Sequence, residues 1–412
     1  MRKLLLATAA VLGTSIGMAG LAHAQSSPAP GTVTVRLNGR VNFYAAVTGS
    51  TGDNVNGNKL ARDGFQGYFR LFPGFDGVAA NGLHYGAAAE IRQNGGSAGN
   101  GTSSGTETLF VHQAYGYFGT PQFGTVRFGQ TVGPLTLFET GIMAGFNDGG
   151  WDGDVPGFVP GNVQPAYPWP DVGVEEETNK IVYLSPNFAG FDVGLSYAPS
   201  TAGFNVGQGA CAVASNACDR LSSSATLGAD ARPRNLYEVV LRYKGNLGPM
   251  GVTATAGYGG SGRVSSPGQQ FRNLAYGDFG LELTYGGILV GGHVSGGRFN
   301  NSFGNLEPVG AKDAIAWTAG AQYTTGPVVF GASYYNFQHQ GDFSSPATEG
   351  QAVDVGIAAG GTYTLAPGVS VFLSYLYGTH KQGGFDSIAQ APGPLHNYVQ
   401  SQLIAIGTQL SW

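Results

Sequence analysis

Apolar and polar residues alternate along many segments of this chain. In residues 33–44, "VTVRLNGRVNFY", the odd positions carry apolar residues or glycine, and the even positions carry Thr, Arg, Asn, Arg, Asn and Tyr. Successive side chains of a β-strand point to opposite faces, so this segment predicts a strand with one apolar and one polar face. The pattern recurs at 83–93, 235–245, 276–286, 352–365 and 368–378. It indicates an all-β chain.

The first 24 residues have the features of a secretory signal peptide. Arg2 and Lys3 precede a short apolar stretch, and residues 22–24 form an A-x-A cleavage site. An uncleaved anchor would look similar, but the glycines and the short apolar core favour cleavage. We therefore predict a cleaved signal peptide at 1–24 and a mature chain at 25–412, where 18 basic residues against 25 acidic ones give a net charge of −7.

Composition restricts what the exported chain can be. Hydrophobic residues make up 42% of the sequence, which argues against disorder, and residues 25–412 contain no run of about 18 apolar residues that could form a spanning helix. Charged residues make up only 11%, whereas soluble domains carry about a quarter. The negative net charge offers no basic patch for nucleic acid. A transmembrane β-barrel fits these features.

The lengths of the connections predict the topology. Short breaks such as "GTPQFG", "SPNFAG", "GNLGPMG", "YGGI", "TTGPV" and "LAPGV" alternate with long polar segments near 94–105, 132–178, 200–233, 261–274, 298–311, 339–351 and 381–396. Tight periplasmic turns and long outer loops are typical of outer-membrane barrels. About sixteen strands of roughly 10 residues fit the chain.

The last segment, "NYVQSQLIAIGTQLSW", is expected to close the barrel by pairing with the first strand. The alternation places its apolar row toward lipid: Ile404, Ile406, Thr408, Leu410 and Trp412. We predict that Trp412 lies in the inner aromatic girdle.

Four features of the mature chain belong together: the segments "VTVRLNGRVNFYAAV", "QAYGYFGTPQFGTVRFGQ" and "NKIVYLSPNFAGFDVGLSYAP", and the terminal aromatic. With these features the chain resembles the general trimeric porins of Gram-negative bacteria, in particular their alphaproteobacterial and betaproteobacterial branch. It implies a sixteen-stranded barrel with a third outer loop folded into the lumen, a multi-pass outer-membrane location and a homotrimer. It also implies that Trp412 is a signal for the outer-membrane insertion machinery, and that the partners are outer-membrane lipids and lipopolysaccharide.

Residues 132–178 correspond to that third loop and contain the acidic residues Glu139, Asp148, Asp152 and Asp154. Folded inward, some of these carboxylates would face a basic wall. Strand alternation assigns to the wall Arg36, Arg40, Arg70, Arg92 and Arg127, with His112 and the lumen acid Glu90. Opposed charges in a water-filled throat filter solutes and set ion preference without making or breaking bonds. Any one of these charges can alternatively be a solvated residue with no individual role.

The function that follows is passive diffusion of small hydrophilic solutes and ions, with a weak cation preference from the acidic loop and the negative net charge. A carbohydrate-selective channel is an alternative, because Tyr44, Tyr68, Phe72, Trp151 and Trp169 could form a short aromatic ladder. A structural or adhesive barrel is a third class, although about sixteen strands would leave an aqueous channel. No G-x-S-x-G motif is present and the histidines are scattered, so we expect no enzyme activity.

Several positions depart from the family pattern. His112, Gln130 and Val182 stand where relatives often carry basic residues, so the basic wall is thinner than usual. His112 could titrate near neutral pH or could serve only as a hydrogen-bonding group. The second outer loop, "NGGSAGNGTSSG", lacks the charge by which relatives contact a neighbouring subunit, so trimer formation is implied by the resemblance alone.

Two further patterns suggest local features. Cys211 and Cys218 are the only cysteines and lie together in the fourth outer loop, where an exported protein favours a disulfide over a metal site. The cluster "NDGGWDGD" spaces Asp148, Asp152 and Asp154 in a way that calcium could use, although it lacks the full EF-hand pattern. No other cofactor is expected.

Overall fold

A computed structural model describes residues 30–55, 57–94, 108–169, 177–200, 234–262, 271–299, 307–342 and 350–412. Sixteen strands form one closed barrel. They are β1 (Val33–Ser50), β2 (Asp63–Val78), β3 (His84–Asn94), β4 (Thr108–Thr120), β5 (Gly124–Thr131), β6 (Thr178–Leu184), β7 (Phe191–Ser200), β8 (Arg234–Leu247), β9 (Met250–Gly262), β10 (Ala275–Tyr285), β11 (Ile288–Arg298), β12 (Ala314–Thr325), β13 (Val328–His339), β14 (Ala352–Ala366), β15 (Val369–Lys381) and β16 (Tyr398–Ser411). The sixteen-stranded prediction is confirmed. The predicted signal peptide and the two cysteines lie outside the described residues.

Each barrel strand pairs antiparallel with its neighbours in the sequence, and β1 pairs with β16 to close the sheet. The register of that seam runs from Arg40 opposite Ser411 to Ser50 opposite Ser401. Closure leaves no unpaired edge strand. The predicted pairing of the last strand with the first is therefore correct.

Connections of two kinds lie at opposite ends of the barrel. The predicted short breaks all join consecutive strands as tight turns, for example at 248–249 between β8 and β9 and at 286–287 between β10 and β11. Within the described residues, the long connections also form three small two-stranded sheets, which are Asn54–Val55 with Asn58–Lys59, Phe271–Arg272 with Glu307–Pro308, and Phe385–Asp386 with Ala391–Pro392. Among the described residues, no helix is long and apolar enough to cross a membrane.

The longest connection, between β5 and β6, contains one short helix and three 3-10 turns. These are α1 (Pro134–Leu137), Gly150–Asp152, Val155–Phe158 and Gly161–Val163. Pro134 occupies the first helical position, where its missing N–H costs no hydrogen bond. We refer to residues 132–177 as the long loop.

Solvent exposure alternates along the strands as the sequence predicts. On β1 the side chains of Val35 and Leu37 are 77% and 62% exposed, whereas Asn42 and Tyr44 are fully buried. On β16 the predicted lipid-facing row is exposed, with Ile406 at 60%. The barrel thus has an exposed apolar face and a covered polar face, because the strand period is two.

The C-terminal end of β16 is held against β1 at Gly39. Trp412 and Gly39 exchange backbone hydrogen bonds of 3.1 and 3.2 Å, and the indole ring covers the position where Gly39 lacks a Cβ. A Cβ at Gly39 would lie 2.3 Å from the ring, closer than van der Waals contact permits. The absence of a side chain at Gly39 therefore allows the indole ring of Trp412 to pack directly on β1.

We expect Gly39→Val to displace the Trp412 ring and weaken the seam. Overpacking typically costs about 1–3 kcal/mol, which should lower the urea midpoint of unfolding of the folded barrel. Gly67→Val is the matched control, since a Cβ at Gly67 meets its nearest atom at an ordinary 3.6 Å. Equal urea midpoints for the two variants would show that the packing of Trp412 on Gly39 does not stabilise the pairing of β1 with β16.

Candidate functional site

The long loop packs along the polar face of the barrel strands. The backbone N–H of Leu135 donates to Glu238 on β8 at 3.0 Å, and that of Gly141 donates to Glu282 on β10 at 3.0 Å. Further along, the N–H of Ala166 donates to Asp354 on β14 at 2.9 Å. The loop is thus held by wall carboxylates that satisfy its otherwise buried amide groups.

Trp151 anchors the middle of the long loop to β14 and β15. Its indole N–H lies 3.2 Å from the carbonyl oxygen of Ile357 and 3.3 Å from that of Tyr377. Gly356 and Gly378 make room for the ring, since a Cβ at either position would lie less than 3 Å from it. The side chain is 7% exposed, so the loop is pinned by a large buried aromatic.

Three residues after Trp151, the loop presents Asp154 to the arginines of β1 and β2. Its Oδ1 lies 2.9 Å from Nη2 of Arg70, and its Oδ2 lies 3.9 Å from Nη2 of Arg40. Glu90 on β3 accepts from Arg92 at 2.6 Å and from Arg70 at 3.4 Å. Because Arg70 contacts both carboxylates, the loop and three wall strands share one network.

Asp148 completes this network from the loop side. Its Oδ2 accepts the backbone N–H of Asp154 at 3.1 Å, and its Oδ1 lies 3.4 Å from the amide of Asn42. Burial, together with the nearby charge of Asp154, raises the pKa of Asp148 to about 7. We call the set of Arg40, Arg70, Glu90, Arg92, Asp148 and Asp154 the charged cluster.

Two uncharged side chains of β1, Asn42 and Tyr44, also belong to the network, although neither is among the predicted charged residues of the constriction. The hydroxyl of Tyr44 donates to Asp154 at 3.2 Å, and the amide of Asn42 donates to the Tyr44 oxygen at 2.6 Å. Both lie on β1 at alternate positions that follow Arg40 on the same face. The alternation of the sequence predicts that both side chains lie on the polar face of β1, but it does not predict their contact with the loop.

The other predicted wall residues have partners different from Asp148 and Asp154. Arg36 pairs with Asp76 on β2 at 2.5 Å, and Arg127 stacks over the Tyr115 ring at 5.1 Å. His112 is the extra residue of a β-bulge on β4, and its Nε2 lies 2.8 Å from Glu177 at the end of the loop. These three residues therefore lie outside the charged cluster.

Only two of the four predicted acidic residues of the long loop belong to the charged cluster. Asp148 and Asp154 join the charged cluster, whereas Asp152 is exposed and Glu139 belongs to the segment that contacts β10 and β11. Calcium binding by Asp148, Asp152 and Asp154 stays a prediction, and in the structure Asp152 is exposed while the other two are engaged by Asn42 and Arg70. Within the described ranges, no group of three metal-ligating side chains occurs.

Two buried histidine sites lie under the long loop, although their histidines are scattered in the sequence. His293 on β11 lies 2.8 Å from Asp278 on β10. Asp354 accepts from His339 at 2.7 Å and from His380 at 2.8 Å. Strand pairing, which a single sequence does not show, brings these side chains together.

A closed sixteen-stranded antiparallel barrel with an apolar exposed face and a charged, covered face is a transmembrane barrel of the outer-membrane type. Its family follows from the sequence profile of the Gram-negative porins, which matches residues 7–383. The chain belongs to the Gram-negative porin family and is a multi-pass protein of the outer membrane. A comparison with curated protein sequences finds no match.

Solved structures of outer-membrane proteins have the same fold. Salmonella typhi OmpF in complex with daunomycin superposes with a TM-score of 0.57 at 14% identity, covering 92% of this chain and 97% of that chain. The trimer form of Vibrio cholerae OmpT gives 0.55 at 14%, covering 92% and 99%. The anion-selective porin from Comamonas acidovorans gives 0.52 at 15%, covering 92% and 100%. At these identities the likeness is one of fold.

Proposed function

We propose that this porin forms a water-filled channel for passive diffusion of small hydrophilic solutes and ions, and that the long loop folds inward to constrict it. The observation that carries the proposal is the position of Asp154. Its carboxylate extends from the loop to Arg70 and Arg40 on the polar face. Because the apolar face of an outer-membrane barrel meets lipid, a loop on the polar face lies in the lumen.

The charged cluster would act as the filter of this channel. Acids on the loop and arginines on the wall create a field across the passage, which orients dipolar solutes and sets ion preference. Fully ionised, the cluster carries three positive and three negative charges and is neutral. The excess of acidic residues elsewhere in the chain then favours cations weakly, as the sequence analysis predicts.

General diffusion accounts for the aromatic residues better than carbohydrate selectivity does. A sugar-binding ladder needs exposed ring faces in the passage. Tyr44 is fully buried, Trp169 is 2% exposed and Trp151 is 7% exposed. Since three of the five candidate ladder residues are covered by protein, we favour a non-selective channel.

Solute uptake into liposomes separates these two functions. We expect purified protein to admit a graded series of neutral sugars at rates that fall smoothly with molecular size, without saturation. Saturable uptake of one sugar, with competition by its close analogues, would replace the general porin by a selective channel. Loss of all size dependence would argue against a constricting loop.

We also propose a homotrimer, as the likeness to the OmpT trimer form suggests, in contact with outer-membrane lipids and lipopolysaccharide. The inferred role is transport without catalysis. Insertion by the outer-membrane assembly machinery, with Trp412 as its signal, is part of the same proposal.

Ion preference should depend on pH because of Asp148, whose pKa is raised to about 7. Above pH 7 its carboxylate is charged and the cluster is neutral, whereas below pH 7 it is protonated and the cluster gains one net positive charge. We therefore expect the cation preference, measured as reversal potential under a salt gradient, to fall as pH decreases from 8 to 6.

Two single variants of the long loop control this experiment. Asp148→Asn should remove the change in reversal potential between pH 6 and pH 8, because the titrating group is gone. Asp152→Asn should retain it, because Asp152 is an exposed acid of the same loop outside the charged cluster. An Asp148→Asn channel with the unchanged wild-type pH dependence would assign the titration to another group.

A further inference from the structure

The entry segment of the long loop meets the barrel wall at a buried histidine. His293 on β11 lies between the loop and β10, and its side chain is 2% exposed. Its Nδ1 is 2.8 Å from the carbonyl oxygen of Thr140 in the loop, and its Nε2 is 2.8 Å from Oδ2 of Asp278. The imidazole therefore connects the loop directly to the wall.

The hydrogen-bond partners of the His293 imidazole determine how many of its ring nitrogens carry a hydrogen. A carbonyl oxygen only accepts, so Nδ1 must carry a hydrogen that it donates to Thr140. Nε2 faces a carboxylate oxygen, and a hydrogen bond there requires a second proton, carried by Nε2 or shared with Asp278. The two bonds together thus require one proton more than a neutral imidazole and an ionised carboxylate possess.

The surroundings of His293 are shaped for this contact. Ser295 donates to the same Oδ2 at 2.6 Å and accepts the indole N–H of Trp169, near the far end of the loop, at 3.1 Å. Gly280 leaves the space that the Thr140 carbonyl occupies, since a Cβ there would lie 2.1 Å from that oxygen. Both ends of the loop therefore meet at one wall site.

The charged groups around His293 are acidic. Asp278 contacts it from β10, Glu282 lies on the same strand two residues beyond Gly280, which pairs with His293, and Glu139 approaches from the loop. From β12 the residue opposite His293 is Thr318, which carries no charge. The charged groups that these elements present to the ring are therefore carboxylates, which attract a protonated imidazole.

We propose that His293 is a positioning residue of the channel, and that the proton it shares with Asp278 holds the long loop in the constricting position. The inference rests on the proposed function of that loop. In alkaline solution, removal of the shared proton leaves the ring one hydrogen, which Nε2 holds against the ionised Asp278, so that the lone pair of Nδ1 faces the carbonyl oxygen of Thr140. The entry segment then loses its hydrogen bond to His293, and the loop moves more readily within the channel.

One substitution separates the shared proton from simple packing. In Asp278→Asn the amide can donate to Nε2, so a neutral imidazole with its hydrogen on Nδ1 makes both bonds. This variant should keep the loop attached without the extra proton. His293→Phe should lose the attachment at every pH. His396→Gln is the matched control, since His396 pairs with Asp386 in the connection between β15 and β16.

The test combines nitrogen NMR of labelled histidines in detergent micelles with planar-bilayer recordings from pH 6 to pH 10. We expect the His293 signal, assigned by its loss in His293→Phe or, if that variant does not fold, in His293→Gln, to show two protonated ring nitrogens at pH 7. In wild-type and His396→Gln channels, transient closures should become at least tenfold more frequent by pH 10. Asp278→Asn should show no such rise.

Each contrary result has a distinct meaning. A singly protonated His293 ring at pH 7, with its Asp278 neighbour ionised, would overturn the shared proton. A closure frequency that does not change with pH in wild type, or that rises equally in Asp278→Asn, would overturn the positioning role. Absence of any conductance would refute the proposed channel function, while the NMR result would still decide whether the proton is shared.

Discussion

Asp154→Asn is expected to turn a weak cation preference into an anion preference. Asp154 is the loop carboxylate that faces Arg70 at 2.9 Å and Arg40 at 3.9 Å, and its loss leaves the charged cluster with a net positive charge. A unit charge about 4 Å from a passing ion contributes about 1 kcal/mol in water, or roughly a fivefold change in partition. The change should be visible as a reversed sign of the zero-current potential under a salt gradient.

The controls for Asp154→Asn use the same loop and the same wall. Asp152→Asn removes an equal charge from an exposed position and should shift the potential far less. High salt should reduce the effect of Asp154→Asn, because screening shortens the range of the unpaired arginine charges. If both variants shift the potential equally, the charged cluster does not set the ion preference.

Trp151→Ala is expected to release the long loop from the wall. The variant removes a buried indole and both of its hydrogen bonds to β14 and β15. Burial losses of this kind cost about 3–5 kcal/mol, so the population of released loop should rise roughly a hundredfold or more. Single-channel recordings should show strongly increased open-channel noise and frequent transient closures.

The barrel itself should survive this substitution, because its strands are held by their own ladders. The urea midpoint of the folded barrel is expected to change little in Trp151→Ala. Trp317→Ala is the matched control, since Trp317 lies on the apolar face with 40% exposure and packs on Tyr334. Quiet Trp151→Ala channels, indistinguishable from those of Trp317→Ala, would refute the anchoring role.

The strand pattern was predictable from the sequence because side chains alternate with a period of exactly two. Once Val35 and Leu37 are assigned to lipid, Arg40 and Asn42 must share the opposite face. The short turns follow from glycine and proline, and closure follows from the need to pair both edge strands. Alternation and turn residues are properties of short segments, and the pairing of the two edge strands needs no knowledge of side-chain contacts, so a single sequence is enough to predict all three.

The position of each charged side chain along the barrel axis was not predictable from the alternation. Arg36 and Arg40 have the same parity on β1, yet they lie about 14 Å apart along the strand, and only Arg40 reaches the loop. Asp152 and Asp154 are two residues apart in the loop, but the 3-10 turn at Gly150–Asp152 leaves one exposed and the other paired. Which charges meet depends on how the loop packs.

The histidine sites show the same limit. His293 and Asp278 are 15 residues apart on neighbouring strands, and the register of β10 and β11 brings them together. His112 lies at a bulge that shifts the pairing of β3 and β4, so parity alone does not determine its contacts. Register and bulges are set by contacts between strands that alternation does not specify.

Planar-bilayer conductance of the purified, refolded protein tests the channel function most directly. We predict discrete openings whose current rises in proportion to voltage and bulk salt concentration, as expected for a water-filled passage. Openings in groups of three would support the trimer as well. A correctly folded barrel that inserts into the bilayer but gives no openings at any voltage would contradict the account and favour a structural or adhesive barrel.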